Sequence, residues 1–225
     1  MEPTGRRLSS LSQARAMTLH SLSIPLSSLV TVFFGAALLV VSTGLAVRTR
    51  TAVAGLGWVA VAGSAQAILA LAAALRTPEG EALRAAAFQL LAVAAATALA
   101  ALCSSKTGKT ESEAGEPDGL ATTGLVVAWL ALLGLPPTIG FHSKIAICRA
   151  LLAEDWTGWV ALVLAASAAC VWPALSALRS RRLPSLGRLR ALCVLALIAL
   201  TLLLGLYPEW GLLLAEHVAR LAAPS

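Results

Sequence analysis

The chain has 225 residues, of which 58% are hydrophobic and only 12% charged, with a formal net charge of +6. Ordinary soluble domains carry roughly 25% charged residues, so this composition and a mean hydropathy of +0.83 exclude a soluble globular enzyme. They predict an all-α, polytopic membrane protein of about six transmembrane helices. The surplus charge is arginine at the ends of apolar runs, with no basic stretch interleaved with aromatics, which excludes a nucleic-acid partner.

Residues 1–25 hold Arg6, Arg7 and Arg15, many serines and the single acid Glu2. That pattern fits an uncleaved import signal or a helix lying on the membrane through Leu8, Leu11, Leu19 and Leu22. A six-span membrane domain over 26–207 follows. The first three spans are Leu26–Val47, Val53–Leu75 and Leu83–Cys103, and the hydrophilic loop Ser104 to Gly119 is a solvated connector. The fourth apolar stretch, Ala121 to Ala153, runs for 33 residues, longer than the roughly 20 that cross a bilayer. The fifth span is Trp156–Leu178, kinked at Pro173, and the sixth is Ala191–Tyr207, stopped by Pro208. In the tail, 208–225, Trp210, Leu214, Val218 and Leu221 share one helical face, which predicts an interfacial helix in contact with lipid.

Basic residues orient the spans. Arg48, Arg50, Lys106, Lys109 and the run Arg179 to Arg190 fall on one side, and the opposite loops hold Arg76, Arg84, Glu154 and Asp155. Both termini then lie outside, with Trp156, Trp159, Tyr207 and Trp210 gathered at the outer interface. The N-terminal arginines run against this bias. Cys103, Cys148, Cys170 and Cys193 share no close spacing, so they read as buried inert thiols, with no metal site and no disulfide.

The fourth span carries the chemistry. Pro136 and Pro137, set between Gly134 and Gly140, remove backbone donors and break the helix, so this span is discontinuous over Gly134–Gly140. Lys144 follows in the first turn of the resumed helix. With Lys106 and Lys109 in a loop, it is the one lysine placed at membrane depth, and an ionisable group there is a functional-site hypothesis. Desolvation favours its neutral form, as does the positive end of the resumed helix. Carbonyls freed at Leu133 and Gly134 favour the cation. Opposed influences of this kind suit an amine that loads and unloads a proton. The bland alternative is a structural lysine that snorkels or pairs with another subunit. His142 is a weaker candidate for a relay against a packing role. Among Ser64, Gln66 and Gln89, cross-helix bonding is the first expectation, with Gln66 a weak proton-path candidate.

The string Gly134-Leu135-Pro136-Pro137-Thr138-Ile139-Gly140-Phe141-His142-Ser143-Lys144 resembles the G-[IL]-P-P-x-x-G-F-x-x-K signature of the antiporter-like membrane subunits of respiratory complex I. The ending, Tyr207-Pro208-Glu209-Trp210 after a last basic connector, looks most like the C-terminal half of NADH–ubiquinone oxidoreductase chain 2. The resemblance covers Val30 to Ala223, and Leu132 to Lys144 is its specific part. It implies a membrane-arm subunit of an H+-translocating NADH:ubiquinone reductase in the mitochondrial inner membrane, with no cofactor and no redox chemistry in this chain. By the same resemblance Lys144 matches the lysine of the outer half-channel, and Gly134, Pro136, Pro137 and Gly140 match the helix break.

The departures are as informative. Family members have eleven to fourteen spans, and the N-terminal repeat with its buried glutamate and lysines has no counterpart here. The Lys-Arg pair that opens the family's second span of this half is Val53-Ala54. The expected partners are therefore the other membrane-arm subunits, including a chain that carries the N-terminal half, together with lipids. A non-pumping structural subunit and a cation/proton antiporter-type subunit are the alternatives.

Overall fold

The computed structural model describes residues 26–49, 52–76, 80–104, 119–179 and 186–222. The expectations for residues 1–25, for most of the 104–119 loop and for much of the arginine connector lie outside the described residues. Those described form α1 (Leu26–Arg48), α2 (Ala52–Ala74), α3 (Glu81–Ser104), α4 (Gly119–Leu133) and α5 (Ile139–Ala153). They continue as α6 (Thr157–Ala169), α7 (Val171–Arg179), α8 (Arg188–Leu206) and α9 (Pro208–Ala222).

Among the described residues, five stretches are long and apolar enough to cross a membrane: α1, Ala54–Ala74 within α2, α3, Thr157–Ser176 across α6 and α7, and α8. The chain is a multi-pass helical membrane protein. α4 and α5 have 15 residues each. Each reaches only about 22 Å, short of the roughly 30 Å hydrocarbon core, so neither crosses alone. The fifth span is interrupted at Cys170, three residues before Pro173, whose missing N–H would have bonded the carbonyl of Ala169.

Two kinds of surface follow from the sequence. Phe33, Phe34, Val40 and Val41 of α1 and Leu192, Leu195, Leu203 and Leu206 of α8 are exposed, as suits lipid-facing positions. The interior instead uses small residues, with Ala62, Ala65, Ala70 and Ala73 of α2 and Ala85, Ala92 and Ala96 of α3 all buried. Small side chains let helices approach closely where lipid tails offer no hydrophobic gain on association. The end of α2 meets the end of α5 through an Arg76–Glu154 ion pair of 3.3 Å, and the Arg76 guanidinium lies 5.5 Å over the Trp156 ring. The loops after the second span and after α5 therefore share one face of the bundle, as the basic-residue count requires.

Two expectations are corrected. Cys193 is exposed and Cys148 half-buried, while only Cys103 and Cys170 are buried, all four being free thiols. Ser64 bonds within its own helix, to the carbonyl of Ala60, and not across helices. The tail does form a helix, α9, with Trp210 exposed and Gly211 pressed against the Phe88 ring of α3. The side chains of Leu214, Val218 and Leu221 lie outside the described residues.

Candidate functional site

The break begins with a glycine. Gly134 has φ 72°, a left-handed conformation that glycine adopts without a Cβ penalty. Its N–H bonds the Ala131 carbonyl at 3.2 Å, and the Leu135 N–H bonds the Leu130 carbonyl at 2.9 Å. That pair of bonds is a Schellman cap, and it closes α4. Pro136 and Pro137 then carry the chain without donors to Thr138, whose hydroxyl donates to the Leu135 carbonyl at 2.7 Å. α5 starts at Ile139 with no side-chain cap. Gly140 lets the two half-helices cross tightly, because a Cβ there would run into the Ala131 carbonyl.

The Schellman cap leaves the carbonyl of Leu133, the last residue of α4, outside the helix ladder. Lys144 takes it up. Its side chain is buried, with 7% exposure, and its Nζ donates to the Leu133 carbonyl at 2.7 Å and to Ser167 Oγ at 2.6 Å. The aliphatic stem fills the space that a side chain on Gly134 would occupy. The glycine thus serves twice, as cap and as seat for the lysine. The Cys148 and Cys170 thiols lie within electrostatic reach of the amine.

From Ser167 the polar contacts continue. Ser167 donates to the Val163 carbonyl at 2.8 Å and accepts a longer contact, 3.4 Å, from Gln66 Nε2. Gln89 Nε2 reaches Gln66 Oε1 at 3.4 Å and the Gly63 carbonyl at 3.2 Å. Ser143 then donates to Gln89 Oε1 at 2.6 Å, with the Gly140 carbonyl 2.9 Å away. The circuit starts on α5 at Lys144, passes through α6, α2 and α3, and returns to α5 at Ser143. Gln66, Gln89 and Ser143 are all buried. Buried amides and hydroxyls cost free energy unless bonded, and here each satisfies the next.

The structure thus gathers Lys144 and Gln66 of the sequence candidates into one network with Gly134. It leaves His142 out: that ring is half-buried, meets Phe141 edge-on with centroids 5.3 Å apart, and bonds no described residue. Ser143 and Ser167 were missed by sequence reasoning. Ser167, a lone polar residue in the run Ala165-Ala166-Ser167-Ala168-Ala169, carries the only available sign, and that sign does not say which way it faces. No group of three or more metal-ligating side chains occurs among the described residues.

No protein-family model matches the chain, and no curated protein is similar to it. Solved structures are. A chain of the Mrp complex from Dietzia sp. DQ12-45-1b matches with a TM-score of 0.71 and 18% identity, over 85% of this chain and 46% of that one. A chain of respiratory complex I from Thermus thermophilus with bound aureothin matches with a TM-score of 0.60 and 24% identity, over 81% of this chain and 44% of that one. The chain therefore shares a membrane fold with components of both complexes and spans less than half the length of either relative.

Proposed function

We propose that this chain is a proton-translocating subunit of a multi-subunit membrane complex, with Lys144 as the group that takes up and releases the proton. The observation that carries the reading is the buried amine bonded to the orphan carbonyl of a broken helix, at the head of a polar circuit through four helices. A half-helix end at membrane depth is tolerated where it lines a functional cavity or is buried in protein. The more specific reading is the C-terminal part of chain 2 of H+-translocating NADH:ubiquinone reductase, in the mitochondrial inner membrane. The Gly134–Lys144 signature supports chain membership, and the arginine- and serine-rich residues 1–25 support the location. The same reading includes a partner chain carrying the N-terminal half expected of that family.

A structural subunit that moves no proton is the second reading, favoured by the closure of the circuit back onto α5. Purification of the complex from native membranes tests the assignment. Copurification with quinone-reducing subunits and a chain of about eight spans is expected, whereas recovery in a cation/proton antiporter assembly lacking them contradicts it. Lys144→Ala in the assembled complex separates pumping from scaffolding.

A further inference from the structure

Every bond of the Ser167 hydroxyl is accounted for. A hydroxyl has one hydrogen and two lone pairs; here the hydrogen goes to the Val163 carbonyl, and the lone pairs face Lys144 Nζ at 2.6 Å and Gln66 Nε2 at 3.4 Å. The donors along the circuit point one way, from Ser143 to Gln89 to Gln66 to Ser167. Lys144 donates from the opposite side. Ser167 is the residue on which both directions converge.

The amine makes two bonds as a donor, to the Leu133 carbonyl and to Ser167. An ammonium brings three N–H donors, a neutral amine two and a lone pair. The neutral amine gains a lone pair in place of one N–H; with one N–H kept on the Leu133 carbonyl and the lone pair turned to Ser167, that hydroxyl can answer by swinging its hydrogen from the Val163 carbonyl to Nζ. A backbone carbonyl, which only accepts, cannot do this. The other groups around the amine do not compete for the role: Cys148 on α5 and Cys170 at the α6–α7 junction act on it only electrostatically, and among the described residues no thiol and no carboxylate bonds it. Gln66 and Gln89 hold the hydroxyl in place.

We propose that Ser167 is a positioning residue for Lys144, a hydroxyl that reverses between acceptor and donor so that the amine keeps its seat at the helix break with or without its proton. The inference rests on the reading of Lys144 as the proton-carrying group. It goes further in assigning the partner that makes both states hold the same place.

The test uses the assembled complex in sealed vesicles with Ser167→Ala, Ser167→Thr and Lys144→Ala. Proton pumping is measured alongside acylation of Lys144 by a small amine-reactive reagent, followed by mass spectrometry. Loss of a hydrogen bond to a charged group is worth about tenfold or more, so Ser167→Ala is expected to pump about tenfold less and to acylate several-fold faster. Ser167→Thr, which keeps the hydroxyl on the same Cβ, is expected to restore both. Ser167→Ala acylating at the wild-type rate overturns the inference, and so does Ser167→Thr behaving like Ser167→Ala. If Lys144→Ala pumps normally, the proton-translocating reading fails, and the acylation arm still decides whether Ser167 seats the amine.

Discussion

The Lys144 amine lies 2.7 Å from the carbonyl of Leu133, the last residue of the half-helix that Gly134 caps. Eleven residues of sequence separate the two, yet the break folds them together. The Schellman cap frees a carbonyl, the prolines turn the chain, and the second turn of α5, not the first that the sequence suggests, brings the lysine back over the end of α4, because the helix already starts at Ile139. A carbonyl left without a partner in a low-dielectric interior is costly. A lysine without one is costlier. Each satisfies the other, so the break and the buried amine stabilise a single arrangement.

Gly134→Ala tests that arrangement directly. The new Cβ would meet the Lys144 stem at a residue whose φ is 72°, and the left-handed backbone alone costs a non-glycine residue about 1–2 kcal/mol. The variant is expected to lower the thermal midpoint of the purified complex and to displace the amine, read as faster acylation of Lys144. An unchanged midpoint and unchanged acylation would show that the seat does not depend on the glycine.

Gln89→Leu removes the amide that joins Gly63, Gln66 and Ser143. Leaving buried partners unpaired costs roughly 1–3 kcal/mol. Thermal or denaturant unfolding of the complex should show a loss of that size. Gln66→Leu, whose two side-chain contacts are both 3.4 Å, is expected to cost less, and the reverse order would contradict the assignment of Gln89 as the tighter junction.

The ion pair between Arg76 and Glu154 is asymmetric, the Arg76 side chain being 24% exposed and the Glu154 side chain 7%. Removing the arginine from a largely buried carboxylate is therefore expected to cost more than the 0–1 kcal/mol of a surface pair. Arg76→Gln should destabilise the complex, and Arg76→Gln combined with Glu154→Gln should recover part of the loss in a double-mutant cycle. Strictly additive losses would mean that the two side chains are energetically independent.

His142→Ala separates proximity in sequence from participation. The ring bonds no described residue and packs against Phe141, so pumping is expected to stay within about twofold of wild type, the change a surface-like contact allows. A tenfold loss would instead make His142 part of the path.

The membrane class, the spans and the position of the break were legible because they depend on composition and on proline and glycine chemistry, which act locally. Leu26, Glu81 and Leu206 bound helices within two residues of where the apolar runs place their ends. Lys144 stood out because an ionisable side chain within an apolar stretch is costly to bury unless it is paired or functional. Of its two partners, the freed Leu133 carbonyl was legible from the break and Ser167 was not. Ser167 lies 23 positions away from it, and whether such residues meet is settled by helix rotation. In spans apolar all round, no polar face betrays that rotation. The exposure of Cys193 escaped for the same reason, since a cysteine in α8 is equally at home facing lipid or core.

Proton pumping by the assembled complex carrying Lys144→Ala tests the central claim most directly, with the electron-transfer or other driving activity of the same preparation as reference. The account predicts an assembled complex whose pumped protons per turnover fall sharply. Unchanged pumping in a fully assembled complex would contradict it and leave Lys144 as the plug that closes a broken helix.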